Sequence, residues 1–131
     1  MPPRLAAMAN WRDGNGILLV GADPAEIPLE VAASYGARTR GLLGRDGIDG
    51  AMLLTPAASV HTFRMRFAID VAYLDRELGV LAVVTMAPGR LGLPRLRSRH
   101  VLESAAGAMA SWGLRAGTTI KVDVPGRLTP R

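Results

Sequence analysis

Apolar positions in this chain recur mostly in short runs of four to seven residues, a pattern that predicts strands rather than long helices. Glycine, proline or polar residues bound each run. The predicted strands are Ile17–Val20, Leu29–Ser34, Ala51–Leu54, Val80–Met86, His100–Glu103 and Thr118–Val124. Asp75–Gly79, a polar segment before Val80–Met86, has the length and composition of a hairpin loop.

The longest patterned stretch, Val60–Leu74, alternates bulky apolar residues with smaller or polar ones. Period-two alternation indicates extended chain with its bulky face against a core. That face carries His61, Phe63, Met65, Phe67, Ile69, Val71 and Tyr73. The stretch is longer than a typical strand, so a break is expected near Arg66–Ala68.

Two short helices are also predicted. Ala37–Leu43 precedes Gly44, and Ala105–Trp112 follows Ser104, a residue type that favours the N-cap position. Strands do not alternate regularly with helices, which argues against a doubly wound parallel sheet. The expected fold is mainly β, a compact antiparallel barrel or jelly-roll-like sandwich with one or two short helices. Residues 17–125 are expected to form this single domain, between a flexible arm (1–16) and a frayed C-terminus (126–131).

Composition excludes several kinds of chemistry. The 131 residues contain no cysteine, so disulfides, thiolate nucleophiles and iron–sulfur clusters are excluded. Only His61 and His100 are present, too few for a three-histidine metal site, and we predict no metal and no cofactor. No apolar run approaches the ~20 residues that span a bilayer, and residues 1–16 do not have the pattern of a secretory signal. A soluble, cytoplasmic protein without a membrane span is expected.

The charge balance is basic, with 16 lysines and arginines against 11 aspartates and glutamates and a formal net charge of +5. Arg95, Arg97 and Arg99 alternate and would share one face of an extended segment. Guanidinium groups suit bidentate contacts to anions, so this face is a candidate surface for an anionic ligand or an acidic protein. The chain has too few aromatic residues for base stacking, which argues against sequence-specific nucleic-acid binding. Arg38, Arg40 and Arg45 are expected to be solvated.

Three stretches occur in an order that resembles a known family. Arg40–Arg45 precedes Gly50–Leu54, His61–Asp75 follows, and Val101–Gly107 comes before Gly113–Gly117. Together they resemble the small prokaryotic proteins called domain of unknown function 192, over about residues 28–122. The resemblance implies a mainly β, jelly-roll-like fold and supplies no activity. The family's middle motif usually has Trp where this chain has Arg64 and a polar pair where it has Arg66-Phe67, whereas Asp70 matches.

Two carboxylates require an explanation. Asp70 lies within a run expected to be buried, where an unpaired carboxylate is costly. Arg66 shares its face but lies roughly 13 Å away along a strand, so a cross-strand arginine or backbone amides are the expected partners. Glu103 directly precedes the predicted Ser104 cap, where a carboxylate interacts favourably with a helix dipole. The two acids would form a carboxylate pair if their strands met.

These residues support a binding hypothesis more than a catalytic one. We expect a binding or accessory module whose ligand site includes Asp70, Arg64, Arg66, His61 and Glu103. We predict that His61 faces the core or its rim, that His100 is exposed, and that no residue is catalytic. Two alternatives remain open. One is an enzyme using Asp70, Glu103 or His61 for acid–base chemistry, and the other is a structural component of a larger assembly.

Overall fold

Residues 11–22 and 24–125, the part of the chain that the computed structural model describes, contain seven strands and two short helices. The strands are β1 (Gly14–Val20), β2 (Glu26–Ala32), β3 (Ala51–Leu54), β4 (Ile69–Leu74), β5 (Val80–Met86), β6 (His100–Ala105) and β7 (Ile120–Asp123). The helices are α1 (Tyr35–Arg40) and α2 (Ala108–Ser111). Most of the arm predicted for residues 1–16, and all of the predicted frayed end at 126–131, lie outside the described residues.

All seven strands belong to one sheet, in the order β5-β4-β6-β3-β2-β1-β7. Neighbouring strands are antiparallel except for the parallel pair β2–β3. The sheet curls, and its two outer strands approach each other: the Val80 amide donates to the Thr118 carbonyl at 2.7 Å, and the Gly117 amide donates to the Val80 carbonyl at 2.9 Å. The result is a curled half-barrel, which confirms the predicted mainly β architecture.

The parallel β2–β3 pair requires a crossover, which α1 and the following loop supply. The Ser34 hydroxyl caps α1 by accepting from the Ala37 amide at 3.1 Å. Asp13 accepts from the Ser34 hydroxyl at 2.6 Å and from the amides of Ala33 and Ser34. These bonds lower the pKa of the Asp13 carboxyl, most of all the one from the Ser34 hydroxyl. The start of β1 and the start of α1 are thereby joined.

Two apolar cores lie on opposite faces of the sheet. The first is on a face to which all seven strands contribute, with Leu18, Leu53 and Leu102 among its fully buried side chains. The second lies on the other face of the central strands and includes Met52, Ile69 and Val101. Because β3 and β4 are covered on both sides, every residue of these strands is buried.

The strand prediction for Val60–Leu74 was wrong for residues 60–68, while the break expected near Arg66–Ala68 is confirmed. Only Ile69–Leu74 forms a strand, and residues 60–68 run as irregular chain over the second core. His61 and Phe63 are exposed instead of facing the core, whereas Met65 is buried. The alternation in the sequence therefore reflects a covering loop followed by a central strand.

The helix predictions were displaced by a few residues. The first helix, predicted at Ala37–Leu43, is Tyr35–Arg40, and Gly41 with a φ of 47° ends it in place of Gly44. The second, predicted at Ala105–Trp112, is Ala108–Ser111, because β6 continues through Ala105. Ser104 is therefore a strand residue and caps no helix, so the helix-dipole interpretation of Glu103 was wrong.

Candidate functional site

Glu103 is a buried carboxyl in the middle of the sheet. It lies on β6 opposite Met52 of β3 and Val71 of β4, so its side chain projects from the face that carries the second core. Its residue exposure is 5%. Among the described residues none donates a hydrogen bond to it, and burial raises the pKa of the Glu103 carboxyl to about 7. Glu103 can therefore gain or lose a proton near neutral pH.

The Glu103 side chain lines a small cavity of about 90 Å³. The walls come from three places: α1 with the residues after it, the irregular chain before β4, and the central strands. The lining residues are Arg38, Thr39, Arg40, Gly41, Leu42, Leu43, Leu54, Ser59, Val60, His61, Met65 and Glu103. The cavity thus combines an apolar wall, a protonatable carboxyl and basic side chains.

The two arginines of the cavity occupy the last turn of α1. Arg38 is half-buried and held in place, because its guanidinium donates to the carbonyls of Ala33 at 3.3 Å and Pro56 at 3.2 Å. Arg40 is exposed. The Arg38 side chain is therefore fixed by hydrogen bonds, whereas the Arg40 side chain is open to solvent.

His61 lines the same cavity from the opposite chain segment. Its ring stacks on Phe63, with centroids 5.1 Å apart and planes at 21°. The Phe63 amide donates to His61 Nδ1 at 3.3 Å. Because Nδ1 accepts this bond, a neutral His61 carries its proton on Nε2, and that nitrogen is a hydrogen-bond donor. Glu103 and His61 thus line one cavity, and their joint role in binding a ligand stays a prediction.

Asp70 is not part of the cavity. It lies opposite Ser104 in the β4–β6 register, so its side chain projects from the other face of the sheet. Its carboxylate accepts from the Thr85 hydroxyl at 2.7 Å and from the amides of Gly107 at 2.9 Å and Met109 at 3.2 Å. Of the two expected kinds of partner, a cross-strand arginine or backbone amides, the structure shows backbone amides. Asp70 ties the start of α2 to the sheet.

The remaining predicted ligand residues lie elsewhere. Arg66 is exposed and contacts Asp46 at 3.0 Å rather than Asp70. Arg64 is exposed, with a left-handed backbone φ of 64°. His100, expected at the surface, is buried, and its Nδ1 lies 2.7 Å from the Thr55 hydroxyl. The structure therefore brings together Glu103 and His61 and separates them from Asp70, Arg64 and Arg66.

Arg95, Arg97 and Arg99 are exposed, but they do not form one extended face. The Arg95 guanidinium lies over the Tyr73 ring, 4.5 Å from its centroid. The Arg99 guanidinium folds back to donate to the carbonyls of Leu96 at 3.0 Å and Ser98 at 3.3 Å. The segment is a turn rather than a strand, which separates the three side chains.

The part of the chain that the structure describes shows neither a cluster of metal ligands nor a helix that could span a membrane. Across residues 11–22 and 24–125, no three His, Asp or Glu side chains lie together in a way that would hold a metal ion. The helices in the same ranges are all too short or too polar to cross a bilayer. The cytoplasmic location expected from the sequence stays a prediction.

Comparison with known proteins identifies the family. Residues 17–122 match the profile of domain of unknown function 192, described as an uncharacterized ACR. This match spans most of the chain. The protein belongs to this family. A UPF0127 protein of Pyrococcus horikoshii is 31% identical over 98 residues, which cover 71% of this chain and 85% of that protein. A UPF0127 protein of Thermococcus gammatolerans is 28% identical over 102 residues, 73% of this chain and 67% of that protein.

Two crystal structures share the fold of this family member. One, from Sinorhizobium meliloti and described as a candidate transcription regulator, has a TM-score of 0.72 at 17% identity. It covers 86% of this chain and 97% of its own. The other, a protein of unknown function from Novosphingobium aromaticivorans, has a TM-score of 0.71 at 17% identity and covers 89% and 96%. At this identity the likeness shows the fold alone.

Sequence reasoning missed the contribution of α1 to the site. Arg38 and Arg40 were expected to be solvated; Arg40 is exposed and Arg38 is half-buried, and both residues line the Glu103 cavity. The only local signal is their position in the last turn of a short helix, where basic residues also interact favourably with the helix dipole. Their proximity to Glu103 depends on the β2–β3 crossover, which the sequence does not reveal.

Proposed function

We propose that this protein binds a small anion in the Glu103 cavity, and that it is a binding or accessory module rather than an enzyme. One observation supports the proposal most: a buried, protonatable carboxyl and two arginine residues line the same small cavity. A protonated Glu103 donates a hydrogen bond, and Arg40 and Arg38 provide positive charge for the ligand.

The size of the cavity limits the ligand. An apolar cavity of roughly 150 Å³ holds benzene, so a space of about 90 Å³ accepts only a few heavy atoms. A carboxylate of the size of acetate has these dimensions, as does the terminal group of a longer anion. The apolar wall formed by Leu42, Leu54 and Met65 suits a short aliphatic part next to that group.

The charges favour an anion over a cation. A cation would need Glu103 ionised, and ionisation is opposed by burial. It would also be repelled by the positive charges of Arg38 and Arg40, two of the residues that line the cavity. Both factors favour an anion. The arginines attract it, and proton uptake by Glu103 removes the one negative charge among the lining residues.

Acetate titrations of the full chain at pH 6 and pH 8, followed by NMR, test the proposal. We expect tighter acetate binding at pH 6, where Glu103 is mostly protonated, than at pH 8. Glu103→Gln keeps an uncharged donor and is expected to bind at both pH values with little difference. His61→Gln is the parallel variant at another polar side chain of the cavity, and it is expected to retain the pH dependence carried by Glu103.

Charge variants provide the matched control. Arg40→Gln is expected to weaken acetate binding severalfold. Arg76→Gln removes the same charge from the turn between β4 and β5 and is expected to leave binding unchanged. An equal loss in both variants, or no chemical-shift change in wild type, would contradict the proposal.

A second candidate function is acid–base catalysis at the same site. It is favoured by the Glu103 pKa of about 7, which suits proton transfer at neutral pH, and by His61 on the same cavity. Asp70 takes no part in it, because this side chain lies on the other face of the sheet. Hydrolysis of p-nitrophenyl acetate or p-nitrophenyl phosphate by wild type, lost in Glu103→Gln, would support catalysis and replace the binding proposal.

A further inference from the structure

The loop between β5 and β6 presents three leucine side chains to solvent. Leu91, Leu93 and Leu96 are 69%, 77% and 95% exposed. Single exposed leucines are ordinary in proteins, whereas exposed apolar patches rimmed by polar residues mark sites of interaction with proteins or membranes. We call residues 87–99 the Leu–Arg loop.

The same loop is strongly basic. Its four arginines, at positions 90, 95, 97 and 99, are all exposed. No acidic residue occurs from position 78 to position 102. The loop therefore combines apolar side chains with uncompensated positive charge, and an anionic apolar partner matches both properties.

One end of the Leu–Arg loop is fixed by Thr62, which is fully buried. Its hydroxyl donates to the Ala87 carbonyl at 2.6 Å and accepts from the Arg90 amide at 2.8 Å. The Thr62 carbonyl accepts from the Gly89 amide at 2.7 Å. This end of the loop is therefore held against the chain that precedes β4.

The other end is fixed by Ser98, whose hydroxyl lies 3.1 Å from the carbonyl oxygens of Ala57 and His100. Between the two ends, the Gly92 amide donates to the Val60 carbonyl at 2.7 Å. The exposure of the leucines thus belongs to a hydrogen-bonded conformation rather than to a loose segment.

The far tip of the loop is convex. The Ser98 amide donates to the Arg95 carbonyl at 3.0 Å, which closes a turn with Leu96 and Arg97 at its corner. A folded protein partner would need a pocket that matches this projecting pair. A lipid surface adapts to it, with leucine entering the acyl boundary and arginine contacting headgroup phosphates.

We propose that the Leu–Arg loop docks this protein onto an anionic membrane surface through Leu91, Leu93 and Leu96 and the arginines beside them. The binding is peripheral and does not involve the Glu103 cavity. An acidic peptide is the competing occupant, because an open groove lined by Tyr73, Arg90 and Leu93 lies at the foot of the loop.

Co-sedimentation of the full chain with lipid vesicles tests the proposal. We expect binding to vesicles of equal parts phosphatidylcholine and phosphatidylserine, weaker binding to phosphatidylcholine alone, and release at high salt. Leu96→Ser is expected to lower the partition coefficient by about tenfold, and the triple variant Leu91→Ser, Leu93→Ser, Leu96→Ser to abolish binding. Tyr35→Ser, at a side chain 78% exposed on α1, is the control and should bind as wild type does.

Two double variants with the same net charge distinguish the contribution of the loop arginines to vesicle binding from that of arginines elsewhere on the surface. One double variant combines Arg90→Gln and Arg97→Gln, and the other combines Arg76→Gln and Arg115→Gln. The first is expected to reduce binding to the anionic vesicles by at least tenfold more than the second. Equal loss in the two pairs, full binding by the triple leucine variant, or no vesicle binding by wild type would overturn the proposal. Binding to polyglutamate without binding to vesicles would also overturn it, in favour of an acidic protein partner.

Discussion

Asp70 and Glu103 lie one register position apart on adjacent strands and project from opposite faces of the sheet. Asp70 is opposite Ser104, and Glu103 is opposite Val71. Because side chains on paired positions share a face, the two carboxyls are separated by the sheet itself. This relationship divides their roles. Asp70 is hydrogen-bonded in the structure, whereas Glu103 faces a cavity and titrates near neutral pH.

Replacing Asp70 tests its structural role. Asp70→Ala leaves the amides of Gly107 and Met109 without their acceptor, and we expect a loss of about 2–4 kcal/mol in the free energy of unfolding. Asp70→Asn is expected to recover part of this loss, since its amide oxygen can accept from the two amides while its nitrogen donates to Thr85. Urea denaturation measures both. Equal destabilisation by the two substitutions would argue against this account.

The Glu103 pKa predicts how stability depends on pH. The folded-state pKa is raised from 4.5 to about 7, so the folded protein holds a proton that the unfolded chain releases between these values. The stability associated with Glu103 is therefore fully present below pH 4.5 and is lost as pH rises through about 7. The loss amounts to about 3 kcal/mol.

Glu103→Gln removes this titration and provides the measurement. We expect the variant to gain stability relative to wild type as pH rises from 4.5 to 7, with a constant difference above pH 8. Acidic groups with lowered pKa, such as Asp13 and Glu30, lose their stabilising contribution as pH falls and affect both proteins equally. A stability difference that does not change with pH would contradict the assignment.

Gly50 illustrates a backbone requirement at the parallel β2–β3 pair. Its φ is +85°, and a β-carbon there would collide with the carbonyl of Pro28 on β2. We expect Gly50→Ala to destabilise the fold by about 2 kcal/mol or more. Gly47→Ala is the control, since no atom lies within 4 Å of a β-carbon at that position. Thermal unfolding of the two variants measures the difference, and similar melting temperatures would contradict the steric role of Gly50.

Thr62 provides a test of how the Leu–Arg loop is held. Thr62→Val preserves the side-chain shape but leaves the Ala87 carbonyl and the Arg90 amide without their hydroxyl partner. We expect a loss of about 1–3 kcal/mol in stability and faster hydrogen exchange at Gly89 and Arg90. Thr39→Val, at an exposed helical position, should change neither quantity. Unchanged exchange in Thr62→Val would show that the hydroxyl does not hold the loop.

Strand positions could be predicted from the sequence wherever a short apolar run was bounded by turn residues. Ala51–Leu54 and Val80–Met86 have the predicted bounds, and the hairpin between β4 and β5 is confirmed. The prediction was wrong for residues 60–68, which form a loop over the second core, whereas the break expected near Arg66–Ala68 is confirmed by the start of β4 at Ile69. Burial on two faces removes the contrast on which alternation depends.

The candidate site was less accessible to sequence reasoning. Asp70 and His61 were chosen because each is a polar residue in an apolar segment, and Glu103 because it directly precedes Ser104, the predicted helix cap. Their grouping was wrong for Asp70, since face and register depend on how β4 pairs with β6. Arg38 reaches Glu103's cavity only through the β2–β3 crossover, a long-range feature of topology.

A buried, ionisable Glu103 carboxyl that faces the cavity should change charge near neutral pH, and titration of its carboxyl carbon by ¹³C NMR measures this. The signal is assigned as the one that disappears in Glu103→Gln. We expect a titration midpoint near 7, and a midpoint at the ordinary value of 4.5 would contradict the assignment of Glu103 as the titrating group of the cavity.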